Sequence, residues 1–290
     1  MPESPLHAPV LEWYAEHARD LPWRRAGVSA WGVLVSEVML QQTPVVRVLP
    51  VWEQWLERWP TPPDLAAAAP GDAVRLWGRL GYPRRALRLH AAAVAITERH
   101  QGVVPSDLTE LRALPGIGDY TAAAVAAFAY GGSVAVLDTN VRRVFARADA
   151  GREYPADHLT VAERARATEL LPDDAALAPE WSVAVMELGA LVCRAAAPVC
   201  AECPIADRCA WRAAGYPAYD GPPRRGQAWA GTDRQCRGRM MAAVRDAEGP
   251  VGRDRLDATW EQVEQRERCL AGLVADGLLV EVEQGYYALP

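Results

Sequence analysis

The sequence predicts a mainly α protein with a small α+β module towards its C-terminal end, and three observations carry that prediction. Apolar residues recur at helical spacing up to about Cys193, strand signals are nearly absent over the same stretch, and clear alternation appears only after Leu278. At 290 residues, half of them hydrophobic, the chain can bury a sizeable core and form two or three compact units. No apolar run reaches the roughly 18 residues of a membrane span, which leads to the expectation of a cytoplasmic protein without a membrane partner. No long heptad run suggests a coiled coil, so a monomer is expected.

In chain order, helices are expected at His7 to Arg19, Ala30 to Gln42, Val45 to Trp59, Asp72 to Leu80 and Pro83 to His100. Further helices follow at Asp107 to Leu114, Tyr120 to Tyr130, Asn140 to Ala148, Leu159 to Leu171 and Pro179 to Val192. Pro60, Pro62, Pro63, Pro70, Gly81, Pro105, Pro115 and Gly131 mark the joints, because proline and glycine interrupt regular backbone. Residues 1–214 are expected to form one domain and the Gly/Pro/Arg stretch 215–234 a linker. Residues 235–290 then hold helices at Arg237 to Asp246, Arg253 to Thr259 and Gln262 to Asp276. Alternating Leu279, Glu281 and Glu283 lead through Gln284-Gly285 into Tyr286-Tyr287, a hairpin pattern. Three helices and a hairpin suggest a winged-helix-like module, suited either to contacting a partner or to capping the main domain.

Cys193, Cys200, Cys203 and Cys209 stand at C-x6-C-x2-C-x5-C. Four thiolates on a short irregular loop can surround one compact soft cluster, and four cysteines are the usual shell of a [4Fe–4S] centre. Zinc is the rival, but zinc ribbons prefer two C-x2-C pairs and only Cys200 and Cys203 are so close here. A disulfide framework is discounted: no secretory segment opens the chain, and Cys236 and Cys269 are expected to lie apart without partners. The histidines, His7, His17, His90, His100 and His158, are scattered with no ligand spacing, which argues against a zinc-dependent nuclease.

The net charge of -6 argues against a generally basic nucleic-acid binder, yet a local field can differ from the average. Between Asp72 and Glu98 there is no acidic residue, while Arg75, Arg79, Arg84, Arg85 and Arg88 occur; Arg142, Arg143 and Arg147 form a second cluster. Both clusters are candidate phosphate contacts or solvated helix faces. Every one of the 31 basic residues is arginine. An enzyme that attacks a sugar carbon with an internal amine needs a lysine for its Schiff base, so that chemistry is excluded unless the N-terminus supplies the amine.

Leu114-Pro115-Gly116-Ile117-Gly118-Asp119-Tyr120 joins two helices by a tight turn whose glycines, Gly116 and Gly118, can take positive φ. Free amides beside a helix N-terminus can bind a phosphate without any base contact, although an αα-corner without a ligand has the same pattern. Asp138 follows the apolar strip Val134 to Leu137 and could be a helix cap. Glu37 lies in Trp31-Gly32-Val33-Leu34-Val35-Ser36-Glu37-Val38-Met39-Leu40, apolar on almost every face. Desolvation would raise its pKa and keep it protonated near neutral pH, as a general acid requires. A second carboxylate in a polar setting that stays ionised would complete the pair used to cleave glycosidic bonds.

Together these residues resemble the helix-hairpin-helix DNA glycosylases with an iron–sulfur loop, and among them the MutY-type adenine DNA glycosylases. The resemblance spans roughly Leu11 to Ala210. It rests on Leu21-Pro22-Trp23-Arg24, Ser36-Glu37-Val38-Met39-Leu40-Gln41-Gln42-Thr43, Leu80-Gly81-Tyr82, Leu114 to Ala122, Leu137 to Val141, Glu187-Leu188-Gly189-Ala190 and the four cysteines. It implies the endonuclease III-like two-lobed fold, with a six-helix lobe at about 28–134 and an iron–sulfur lobe from about 1–27 and 135–214. Its implied partner is double-stranded DNA with A·8-oxoguanine or A·G mispairs, at the nucleoid.

Under the resemblance, Glu37 protonates the flipped adenine, Asp138 stabilises the oxocarbenium sugar, and Tyr120 and Asn140 position them. Gln42, Thr43, Leu80 and Tyr82 match positions that enter the stack and contact the opposite base; Gly116 and Gly118 grip a phosphate, and Arg24 and Arg142 also face DNA. In endonuclease III-like members a lysine follows the hairpin and does lyase chemistry; here Tyr120 stands near that place, so a monofunctional glycosylase is implied. The chain departs from the family at Thr139, where Gly is usual, and at Ser182 and Val183, where Asn and an acidic or amide residue are usual. The family's larger C-terminal domain has no room in the residues after the linker. The alternatives are a mismatch glycosylase for thymine opposite G and a catalytically inert iron–sulfur protein that binds damaged DNA.

Overall fold

The computed structural model describes residues 4–221 and 229–290. It is mainly helical, as expected, with α1 (His7–His17), α2 (Ala30–Leu40), α3 (Val45–Arg58), α4 (Pro62–Ala66), α5 (Pro70–Trp77) and α6 (Arg84–Arg99) in order. Next come α7 (Leu108–Arg112), α8 (Asp119–Tyr130), α9 (Thr139–Ala148), α10 (Val161–Glu169), α11 (Ala178–Leu191) and α12 (Ala210–Ala213). The C-terminal part holds α13 (Asp233–Arg245), α14 (Arg253–Asp257) and α15 (Val263–Ala275) with strands β1 (Val251–Gly252), β2 (Val280–Glu283) and β3 (Tyr286–Ala288). Among the described residues no helix is long and apolar enough to cross a membrane.

Local chemistry sets the helix ends. Thr61 with Asp64 and Thr160 with Glu163 form reciprocal capping boxes at α4 and α10, and Gly131 ends α8 in the left-handed conformation. The helix expected from Asp72 to Leu80 instead starts at Pro70, whose ring suits a first turn, and stops at Trp77, because Gly78 takes φ +57°. Likewise α2 stops at Leu40, two residues before Gln42 at φ +55°.

The chain divides into two compact units. The first comprises the described parts of Met1–Val33, Ser106–Arg112 and Gly118–Pro223. Its core packs Val10 of α1, Val141 and Val144 of α9, and Trp181, Val185 and Leu188 of α11, joined by Ile205 of the cysteine loop. The alternation of these residues at helical spacing is what makes three helices share one apolar centre.

The second unit comprises Leu34–Pro105, Ala113–Ile117 and the described part of Arg224–Pro290. Trp55 of α3 meets Trp59 and Trp77 edge-on at ring-centroid distances of 4.8 and 5.8 Å, and α4 and α5 both pack on α6. Its C-terminal part carries an antiparallel sheet of order β1-β3-β2, with Val251 opposite Tyr287 and Val280 opposite Ala288. The expected hairpin is present, and β1 adds a strand that two residues are too short to announce by alternation. The centre of the expected linker, 222–228, lies outside the described residues. Cys236 and Cys269 are not apart: α13 and α15 pack together and bring the two buried thiols close enough to influence each other's charge. Burial, with the neighbouring Cys269 thiol, pushes Cys236 up to about 12.

Candidate active site and cysteine loop

Glu37 is 5% exposed, with Leu34, Val35, Ser36, Val38 and Met39 buried around it in α2. This is the desolvated carboxyl that the apolar helix predicts, and it belongs to the second unit. Asp138, Asn140 and Tyr120 belong to the first unit, where Tyr120, in the first turn of α8, packs against the cluster of Ala123, Ala124, Ala127 and Val136.

Asp138 is both a cap and part of a polar chain. One oxygen accepts the Val141 amide at 2.7 Å and caps α9; the other accepts Asn140 Nδ2 at 2.6 Å. Arg143 Nη2 donates to Asn140 Oδ1 at 2.8 Å and to Gly189 O at 2.6 Å, and its Nε donates to Cys193 O at 2.7 Å. The setting is less polar than the sequence suggests. Burial pushes the Asp138 carboxyl above the usual carboxylate range, against the opposing pull of the Val141 and Asn140 hydrogen bonds and of Arg143.

In the hairpin, Gly116 has φ +77°, and a Cβ there would meet the Arg88 Cβ at 2.7 Å. Gly118 departs from expectation. It is the extended residue before α8, at φ -93° and ψ 179°, with nothing within 4 Å of a built Cβ, so it needs no left-handed freedom. Asp119, which follows it, pairs with Arg112 at 2.9 Å and Arg164 at 3.1 Å.

Gln42 and Tyr82 are exposed and both left-handed, at φ +55° and +49°. Thr43 and Leu80 are turned inward instead, at 5% and 4% exposure. The Thr43 hydroxyl donates to Leu80 O at 3.3 Å and accepts from Arg85 Nη2 at 3.0 Å. Arg85 is therefore not a phosphate contact: it is buried and also donates to Val38 O, Met39 O, Gln41 O and Gly81 O, closing the end of α2 onto the loop before α6. Nothing in the sequence separates it from its exposed neighbours except its position on the inner face of α6.

Arg24 and Arg142 are likewise engaged inside the protein. Arg24 Nη2 reaches Glu187 at 2.9 Å, where Arg19 makes a second, two-toothed pairing; Arg142 Nη2 sits 3.0 Å from Glu163 and donates to Ala156 O. Glu187 is fully buried: burial alone would raise its pKa, but the Arg19 hydrogen bonds and the Arg24 charge bring it down to about 2. Ser182 donates to Ala178 O within its own helix.

Pro198 and Pro204 keep the chain after α11 irregular, apart from short 3-10 turns at Cys200–Glu202 and Ala206–Arg208. The four thiols, free of disulfides, line one small pocket, partly open to solvent, with Val192, Ala206 and Trp211. Among the described residues no group of three or more donors is placed to hold a metal ion. Burial pushes Cys203 up to about 11 and raises Cys193. Arg147 is 1% exposed, stacks over Trp211 at 4.7 Å, and donates to Arg194 O at 2.8 Å and to Cys193 Sγ at 3.4 Å. Arg143 and Arg147 thus hold the loop's backbone, which is a different task from meeting phosphate.

Residues 35–169 match the family described as HhH-GPD superfamily base excision DNA repair protein. The chain is 54% identical over 288 residues to the adenine DNA glycosylase of Mycobacterium tuberculosis, an alignment covering 97% of this chain and 92% of that protein. It is 39% identical over 208 residues to the adenine DNA glycosylase of Homo sapiens, covering 69% of this chain and 38% of that one. The fold is similar to that of a thermostable thymine-DNA glycosylase, with a TM-score of 0.64 at 24% identity over 71% of this chain and 94% of the other.

Proposed function

The chain belongs to the adenine DNA glycosylases of the HhH-GPD superfamily, and from that premise we propose that it removes adenine mispaired with 8-oxoguanine or G from duplex DNA, without lyase chemistry. The observation that carries this reading is Glu37, an acid 5% exposed in an apolar helix. A structural role would be filled at lower cost by an apolar residue, since a buried carboxyl is desolvated without packing gain.

In the proposed reaction adenine is extruded into the protein and Glu37 gives its proton to a ring nitrogen of the base. The bond from that base to C1′ then breaks with both electrons leaving on the purine. Asp138, held by the Val141 amide and Asn140, faces the cationic sugar; an adjacent positive charge restores the ionised form that burial disfavours. Water adds to C1′ and loses a proton, which leaves an abasic site. With no lysine in the chain, no side-chain amine captures that sugar, and strand scission waits for alkali.

The cysteine set fits a [4Fe–4S] centre: four thiols, one pocket, and a buried arginine directed at Cys193 Sγ. Bound there, such a centre would supply iron–thiolate bonds that fix the Cys193 to Cys209 loop, and no step of base removal passes through it. The reading is tested by single-turnover excision on duplexes carrying A·8-oxoguanine, A·G, T·G and A·T, with scission read before and after alkali. Adenine loss revealed only by alkali is expected; cleavage confined to T·G, or binding without excision, would overturn it.

A further inference from the structure

The loop between α5 and α6 has an unusual backbone: Gly78, Gly81 and Tyr82 all have positive φ, at +57°, +86° and +49°. Tyr82 has no glycine's freedom, and a bulky side chain persists in that region only where its surroundings impose it. The surroundings do so through the carbonyls. Arg79 O accepts from Arg47, Leu80 O from Thr43 at 3.3 Å, Gly81 O from Trp77 Nε1 at 2.9 Å and from Arg85 at 3.1 Å, and Tyr82 O from the Arg85 amide at 2.9 Å.

The first carbonyl of the loop is held from elsewhere in the chain. Gly78 O accepts from Arg245 Nη1 of α13 at 2.8 Å, while Arg75, on α5 just before the loop, donates to the carbonyls of Arg245 and Ala247. At the far end of the loop Arg84 pairs at 3.2 Å with Asp276, which Arg237 of α13 also holds. The winged-helix-like module therefore grips both ends of one short loop. All five carbonyls from Gly78 to Tyr82 thus already have hydrogen-bond donors, which fixes the loop that presents the 46% exposed Tyr82, and satisfied carbonyls repel a nearby phosphate less than free ones.

We infer that the C-terminal module is a brace for the Gly78–Tyr82 loop, with Arg245 and Asp276 as positioning residues that set how tightly and how selectively mispaired duplex is held. The inference rests on the DNA reading above. It gives the module a task inside the chain, and it accounts for Arg75 and Arg84, two of the candidate phosphate contacts, being engaged with the module.

The test uses the full-length protein with Arg245→Ala, Arg245→Lys and Asp276→Asn. Hydrogen exchange of the peptides spanning 76–85 reports on the loop, and fluorescence anisotropy with A·8-oxoguanine, A·G and A·T duplexes reports on selectivity. Removing one charge-assisted hydrogen bond should speed exchange of the Leu80 to Tyr82 amides and lower the preference for mispaired duplex, each by roughly tenfold. Arg245→Lys should recover most of both. Unchanged exchange and unchanged preference in Arg245→Ala and Asp276→Asn, with folding verified by thermal melting, would overturn the inference. A wild-type protein that removes no adenine would count against the catalytic reading, whereas the brace stands or falls on loop exchange and duplex affinity.

Discussion

Gly189 of α11 lies directly against Asn140 of α9: a Cβ built on Gly189 would stand 2.7 Å from Asn140 Cβ and 2.9 Å from Asn140 O. The missing side chain lets the two helices close, and the same contact carries Arg143 to Gly189 O and holds the Asp138–Asn140 turn in place. Gly189→Ala should therefore displace a backbone segment, which cannot swing aside as a flexible side chain does. The expected cost is about 2 kcal/mol of stability, the scale of an overpacked core, with loss of excision greater than melting alone explains. Urea unfolding set beside single-turnover rates checks it; a variant as active and stable as wild type would show that the turn tolerates the shift.

Glu37→Gln and Asp138→Asn should each keep duplex binding and lose base excision by at least about a hundredfold, the usual contribution of one acid–base group. Anisotropy titration measures the first quantity and single-turnover excision the second. Near-wild-type turnover in both variants would sink the two-carboxylate mechanism.

The Glu187 pair gives a pH dependence whose sign is fixed. Its folded pKa, about 2, lies below the ordinary carboxylate value, so the pair stabilises the native state fully above pH ~4.5 and less as pH falls towards 2. The shift corresponds to about 3 kcal/mol near neutrality. Glu187→Gln, which leaves Arg19 and Arg24 without their carboxylate, should cost about 3 to 5 kcal/mol at pH 7. That cost should narrow as pH falls from 5 towards 3. Chemical unfolding of both proteins across this range decides it, and a pH-independent difference would refute the assignment.

Purified protein should be brown, with absorbance near ~410 nm, as ligation of iron by four thiolates implies. Cys203→Ser should bleach it and loosen the loop that Arg143 and Arg147 hold, read as faster proteolysis after Val192. Metal analysis that finds one zinc in a colourless protein would replace the cluster with a tetrahedral ion.

The sequence determined a good deal unaided. Helical periodicity and proline positions located almost every long helix, because burial of one apolar stripe leaves a trace in every turn. An acid in an apolar helix marked Glu37, and thiol spacing marked the cysteine loop, since both depend on neighbours close in the chain. Short elements without a period, α4 and β1, left no comparable trace.

Only the tertiary structure decided which arginines are interior. Arg85, Arg143 and Arg147 look like Arg79 or Arg88 in the sequence, yet their guanidinium groups lie inside and hold carbonyls from segments tens of residues away. The close approach at Gly189, the meeting of Cys236 with Cys269 and the brace on Gly78 are of the same kind. Periodicity reports which face of a helix is buried, but the partner that face meets is fixed by how distant helices pack, and a single chain of letters carries no record of that distance.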